Sequence, residues 1–284
     1  MRVAASRAEL DAAVGGWRGG GQRLGLVPTM GALHAGHEAL LDAARAESDA
    51  VVASIFVNPL QFAPGEDLTS YPRMLSDDLE RCASHGVDVV FTPGVDVVYP
   101  HGEPQVSVDP GPLGAQLEGA VRPGHFRGVL TVVTKLLGLV RPDLAVFGTK
   151  DYQQLVLVHQ CVADLFLPVT VLAVETVRAS DGLALSSRNR HLSADQRQAA
   201  VALSRALLAG QAQASGGAQA ALTAAGAVLE AAPEVRVDYL ELRGVDLASA
   251  PSEGEGRLLV AARVGGARLI DNLPIVIGGA LPVP

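Results

Sequence analysis

Two histidines, His34 and His37, stand in the run Pro28-Thr29-Met30-Gly31-Ala32-Leu33-His34-Ala35-Gly36-His37, which leaves an apolar stretch and enters a helical pattern. At the start of a helix, a spacing of three turns both rings the same way. The N–H groups of a first helical turn attract anions, and the positive end of the helix dipole favours neutral imidazoles that each donate one hydrogen bond. Gly31 and Gly36 let a ligand come close to the backbone. Together these residues make a seat for a nucleotide triphosphate. Two other readings stay open: plain surface histidines, and a metal pair, although zinc usually wants a third protein ligand that the spacing does not supply.

Three further sets follow apolar runs in the same way. Asn58 and Gln61 lie in Phe56-Val57-Asn58-Pro59-Leu60-Gln61-Phe62, where amides between apolar walls suit a small polar substrate, though Asn-Pro is also an ordinary turn. Val146-Phe147-Gly148-Thr149-Lys150-Asp151-Tyr152-Gln153-Gln154 passes from a strand pattern through glycine into a helix. A lysine at that junction can neutralise phosphate charge that grows during a displacement, or simply pair with Asp151 in solvent. Leu185-Ser186-Ser187-Arg188-Asn189 offers two hydroxyls, a guanidinium and backbone donors in a loop able to close over phosphates, although serine-rich loops are common. Asp77 and Asp78 are neighbours on a predicted helix and point about 100° apart, which favours a solvated helix face over a shared-proton pair.

The elements that must hold these residues alternate. Strand-like runs at Leu24 to Val27, Ala50 to Val57, Val87 to Phe91, Leu144 to Phe147 and Val169 to Val174 are separated by helical patterns at His37 to Ala46, Ser76 to His85, Gly128 to Val140 and Tyr152 to Leu165. That alternation is the pattern of a parallel α/β sheet. After Val174 come a polar loop, an Ala/Gln-rich segment from Ser193 to Ala232, and strand-like runs at Val235 to Leu242, Arg257 to Val264 and Ala267 to Leu273. Ser193-Ala-Asp-Gln can open a helix as a capping box, and Gly265-Gly266 marks a hairpin. Residues 1–175 and 176–284 therefore read as a larger α/β domain and a smaller α+β domain with an antiparallel sheet.

Composition narrows the function classes. The chain has 284 residues, 49% hydrophobic and 18% charged, which is globular composition. A net charge of −8 repels nucleic acid, so any phosphate must be held locally. Cys82 and Cys161 have no CxxC or histidine-rich neighbourhood and read as structural thiols of a reducing compartment. No apolar run approaches the ~18 residues of a membrane span, and the N-terminus lacks a signal-peptide core, so the cytoplasm is the expected location.

The motif set as a whole resembles the pantothenate synthetase family of the HIGH-type nucleotidyltransferases. The resemblance runs from about Leu26 to Arg190, at Met30 to His37, Ile55 to Phe62, Tyr71-Pro72-Arg73, Arg122-Pro123-Gly124-His125-Phe126, Gly148 to Leu155 and Ser186 to Arg190, with a weaker echo at Val237 to Leu240 and Leu258 to Asn272. It implies a Rossmann-like N-terminal domain, a smaller α+β lid domain and a homodimer. It also implies a ligase that joins pantoate to β-alanine at the expense of ATP, with magnesium, through an acyl adenylate. Carried over by position, His34, His37, Lys150, Ser186, Ser187 and Arg188 are the implied catalytic residues. Met30, Gly31, Ala32, Leu33, Ala35, Gly36, Gly148, Thr149, Asp151, Val177 and Leu185 join them around the nucleotide. Gln61, Gln154 and Asn58 are implied for pantoate, and Asp77 and Asp78 for a position near magnesium. Family members usually carry Glu where this chain has Thr149, which removes a carboxylate beside Lys150. A plain nucleotidyltransferase and a nucleotide-sensing module remain the rival function classes.

Overall fold

The computed structural model describes residues 1–63, 66, 68–69 and 71–279. Its β-branched and leucine-rich runs form six strands, β1 (Arg2–Ala4), β2 (Leu24–Thr29), β3 (Ala50–Ile55), β4 (Val89–Phe91), β5 (Leu144–Gly148) and β6 (Thr170–Val174). They pair in parallel in the order β1-β4-β3-β2-β5-β6. The connecting helices are α1 (Arg7–Gly19), α2 (Ala35–Glu47), α3 (Leu75–Ser84), the short α4 (Val95–Val98) and α5 (Glu118–Val121), α6 (His125–Val140) and α7 (Tyr152–Asp164). β2 and β3 are buried along nearly their whole length, as strands covered on both faces must be. Val27, Leu41, Ala44, Val51, Val90 and Val146 make the core between sheet and helices.

The strand order reverses at β2, which has β3 on one side and β5 on the other. In an open parallel sheet, ligands bind outside the carboxyl ends of the strands at such a switch point. The segments leaving those ends are Met30 to His34 after β2 and Thr149 after β5.

β1 and α1 are absent from the sequence reading. β1 has only three residues, and Gly15, Gly16 and Gly19 weaken the helical signal of α1. A signal was nonetheless present: Ser6 and Glu9 form a reciprocal capping box at the start of α1. The stripe Val129, Val132, Val133, Leu136, Leu137 and Val140 is buried in α6, as its spacing requires.

By internal contacts the chain forms two compact units: Met1–Thr149 with Leu157–Glu175, and Lys150–Val156 with the residues from Thr176 onward. The second contains α8 (Ala194–Ala212), α9 (Ala218–Glu230) and the antiparallel strands β7 (Val235–Gly244), β8 (Gly254–Val264) and β9 (Ala267–Ile277) in sequence order. Ser193 caps α8 through a reciprocal box with Gln196. Gly265-Gly266 closes the β8–β9 hairpin between the paired residues Val264 and Ala267, with Gly265 at φ +56°. Leu203, Leu207, Ala225, Leu258, Val260 and Ile275 belong to this unit's own core. Cys82 and Cys161 are buried and free, and burial, with the Asp78 charge adding to it, pushes the Cys82 thiol up to about 11. Among the described residues, no helix is long and apolar enough to cross a membrane.

Candidate active site

The chain leaves β2 through a strained loop. Gly31 (φ +82°) and Ala32 (φ +52°) both adopt the left-handed region, which costs a non-glycine residue energy unless its surroundings enforce it. The enforcing group is Asp78 of α3. Its carboxylate accepts from the backbone N–H of Ala32 at 2.9 Å and of Leu33 at 2.7 Å. Thr29 Oγ1 donates to the Ser54 carbonyl at 2.8 Å and accepts from Gly31 N–H at 3.2 Å. A Cβ on Gly31 would lie 2.9 Å from an Asp78 oxygen, so only glycine fits.

This loop delivers His34 as the N-cap of α2, whose first residue, Ala35, stands two residues before the start at His37 that apolar spacing suggests. His34 Nδ1 accepts from Gly36 N–H at 3.1 Å, and His37 Nδ1 accepts from His34 N–H at 3.3 Å. The pair thus forms a capping box made of imidazoles, with ring centroids 4.2 Å apart. A ring nitrogen that accepts from a backbone N–H carries no proton, so in each neutral ring the proton sits on Nε2. Both rings are therefore donors through Nε2–H at a helix N-terminus, a suitable arrangement for anionic oxygens.

The second amide set is held from several sides. Asn58 is almost fully buried, and its Oδ1 accepts from Tyr99 O–H at 2.7 Å while its Nδ2 donates to Gln61 Oε1 at 3.0 Å and to the Gly128 carbonyl at 3.1 Å. Burial pushes the Tyr99 hydroxyl up to about 12, so it keeps the proton that it donates. Asn58 accordingly positions Gln61, whose Nε2 meets Met30 Sδ at 3.1 Å. The Gln61 carbonyl accepts from His125 Nδ1 at 2.8 Å and from Arg122 at 3.3 Å. Arg122 in turn makes a two-point ion pair with Glu66, both distances being 2.7 Å. Burial, with the Arg122 charge adding to it, pushes the His125 imidazole down to about 4, so the ring is neutral at ordinary pH. Glu66, Tyr99, Arg122 and His125 carry no assigned role in the sequence reading, although Arg122 and His125 stand in one of its motifs, because only the fold brings them around Asn58 and Gln61.

The acidic pair divides. Asp77 is exposed and Asp78 is buried, so a solvated helix face describes Asp77 alone. Asp78 directs its two oxygens at backbone donors, and among the described residues no group of three or more His, Cys, Asp or Glu side chains is arranged to hold a metal ion. At Thr149 the side chain is buried, and its hydroxyl donates to Glu175 Oε2 at 3.4 Å. A carboxylate therefore does stand beside this position, supplied from the end of β6.

In the second unit, Lys150 and Asp151 belong to a 3₁₀ turn, with Nζ and Oδ2 3.8 Å apart. The loop from Thr176 folds as a hairpin in which Leu185 N–H donates to the Val177 carbonyl at 3.0 Å. Gly182 (φ +90°) turns it, and Asp181 Oδ1 accepts from Leu183 N–H at 3.1 Å. Ser186 caps the next turn, Ser187–His191, by accepting from Arg188 N–H at 3.3 Å. Lys150, Ser186, Asn189 and Asp271 line one small cleft with Leu183 and Leu269. Gln154 lies half-buried on α7.

A family model described as Pantoate-beta-alanine ligase matches residues 2–274. The chain belongs to this family. It is 59% identical to a pantothenate synthetase from Nocardioides sp., across 97% of this chain and 86% of that one. It is 57% identical to a pantothenate synthetase from Mycolicibacterium smegmatis, across 99% and 89%. Among solved structures, the pantothenate synthetase of Thermus thermophilus superposes with a TM-score of 0.91 at 50% identity, covering 96% of this chain and 99% of that one. The pantoate-beta-alanine ligase of Francisella tularensis, solved with beta-gamma ATP and beta-alanine, gives 0.81 at 34% identity, with 96% and 97% covered. The family's parallel sheet and small antiparallel unit are those described above.

Proposed function

We propose that this chain is an ATP-dependent ligase that condenses pantoate with β-alanine through a pantoyl adenylate. The observation that carries the reading is the imidazole capping box: both Nδ1 atoms accept from backbone, so His34 and His37 each present an Nε2–H donor where β2 ends. In the first step a pantoate carboxylate oxygen attacks the α-phosphorus, the bond to the β-phosphate oxygen breaks, and pyrophosphate leaves. Charge grows on phosphoryl oxygens, so fixed donors dominate the catalysis. His34 and His37 each donate a hydrogen bond to these oxygens while keeping the Nε2 proton, and Lys150, Ser186, Ser187 and Arg188 are the further residues for the triphosphate. Met30, Ala35, Gly36, Gly148, Asp151, Val177 and Leu185 complete the nucleotide contacts. Gln61 and Gln154 hold pantoate, and Asn58 keeps Gln61 in place.

In the second step the β-alanine amine attacks the acyl carbon, AMP departs with the mixed-anhydride oxygen, and the amine gives up a proton. No enzyme nucleophile is needed. Magnesium, when bound, would offset the charge of the nucleotide phosphates; of the two implied acids, Asp77 has the exposed carboxylate, while that of Asp78 accepts from Ala32 and Leu33. The reading includes a cytoplasmic homodimer. The edge strand β6 is half-exposed and is preceded by exposed Leu165 and Phe166, which supports a partner surface there.

Exchange of labelled pyrophosphate into ATP tests the reaction. Exchange is expected only with pantoate present, and AMP release in the forward direction only with β-alanine added. Exchange without any acid overturns the reading, and accumulation of an adenylated product with no amide selects a plain nucleotidyltransferase.

A further inference from the structure

The lysine assigned to the triphosphate is held by a side chain more than a hundred residues away in sequence. Asn272 of β9 donates from Nδ2 to the Lys150 carbonyl at 2.8 Å. Asn272 is almost fully buried, and its Oδ1 accepts from Arg257 Nε of β8 at 2.7 Å. The buried Arg257 guanidinium lies 4.2 Å from the ring centroid of Tyr152, two residues after Lys150. Tyr152 O–H donates to the Val245 carbonyl at 2.8 Å. The turn carrying Lys150 is therefore pinned by its backbone and by the next ring, leaving the lysine side chain to be aimed.

The neighbouring residue holds the other half of the same cleft. Asp271 makes a two-point ion pair with Arg178 at 2.6 and 2.8 Å, and Arg178 donates to the Gly182 carbonyl at 3.1 Å. Asp271 Oδ1 also accepts from Asn272 N–H at 2.7 Å. Arg178 and Gly182 belong to the hairpin that leads into Ser186. Adjacent residues of one strand thus fix the Lys150 turn and the Ser186 hairpin, and Lys150 and Ser186 line one cleft.

We propose that Asn272 is a positioning residue that sets the place of Lys150 relative to the Ser186–Arg188 loop, acting through its hydrogen bond to the Lys150 carbonyl. This inference rests on the reading of Lys150 as a triphosphate-binding lysine. A buried amide can do this where a carboxylate cannot, since it donates to a carbonyl and accepts from a guanidinium at once.

The test is a double-mutant cycle read by pantoate-dependent pyrophosphate exchange. Asn272→Asp keeps the acceptor facing Arg257 and loses the donor facing Lys150. It is expected to lower kcat on the order of tenfold to a hundredfold, as misplacement of a catalytic group does, while KM for pantoate stays within about threefold. Once Lys150→Ala has removed the side chain being aimed, adding Asn272→Asp is expected to cost nothing further, since residues acting as one unit are non-additive. A double variant slower than Lys150→Ala by the full Asn272→Asp factor overturns the inference, as does Asn272→Asp with wild-type kcat. Wild-type exchange in Lys150→Ala overturns the role of Lys150 itself and the inference with it, so the two failures are distinguishable. Should Asn272→Asp fail to fold, Asn272→Ala carries the same cycle: it removes the donor to the Lys150 carbonyl without placing a new charge beside it.

Discussion

His37 uses its two nitrogens for different purposes, and a substitution can separate them. Nδ1 caps the helix, while Nε2–H is the proposed donor to phosphate. Asparagine places an acceptor near Nδ1 and nothing near Nε2, so His37→Asn is expected to lose about 3 kcal/mol of transition-state stabilisation, the scale of one fixed donor. Its unfolding free energy in urea should stay close to wild type, whereas His37→Ala should lose about 1 kcal/mol of stability as well. His125 separates stability from chemistry in another way. Its folded pKa of about 4 lies below the ordinary 6.5, so folding favours the neutral ring. That contribution is complete above pH 6.5 and is lost as the pH falls toward 4, because the unfolded chain binds a proton that the folded one refuses. Although burial raises Glu66, its hydrogen bonds and charge contact with Arg122 hold it below 4.5, so its own contribution is lost only at lower pH. Between pH 6.5 and 4.5 the wild type should therefore lose about 2 kcal/mol through His125. Urea unfolding of His125→Asn, whose amide can still donate to Gln61, should show a shallower slope across that window.

At the scale of elements, α6 comes close to the turn that carries Gln61, and one glycine permits it. A Cβ on Gly128 would meet the Leu60 carbonyl oxygen at 2.2 Å and the Gln61 nitrogen at 2.7 Å. Gly128→Ala must push the helix from the turn, at a cost of about 1–3 kcal/mol for overpacking. Since Asn58 donates to the Gly128 carbonyl and to Gln61, KM for pantoate should rise more than kcat falls, measurable by exchange at saturating ATP. The helix itself was legible in sequence, because a stripe repeating at three and four residues reports burial from one segment alone. The need for glycine at 128 was not, because the atom it must avoid belongs to a turn distant in sequence. The same holds for α2: its apolar period was visible, but its true start at Ala35 depends on the side chain of His34 acting as the cap.

At the scale of the molecule, each unit has its own core, and the single tryptophan, Trp17, lies in α1 of the first. Leu258 is fully buried in the second core. Leu258→Ala should cost that core about 2–5 kcal/mol, moving the far-UV transition to lower urea while the Trp17 fluorescence transition keeps its midpoint. The alternation of strands and helices, the antiparallel hairpin at Gly265-Gly266 and the placing of His34 and His37 where a strand passes into a helix were all readable from the sequence. Each is written within a few consecutive residues, as period, cap or turn chemistry. Tertiary structure alone decided that Asp78 is a buried clamp on Ala32 and Leu33, that the Gln61 carbonyl is held by Arg122 and His125, and that Lys150 groups with the unit that contains the residues from Thr176 onward. The bonds behind those three results join residues that stand tens to more than a hundred positions apart or that follow no element's period. No local pattern encodes such a bond, because it exists only once separate elements have packed and left a buried polar group needing a partner.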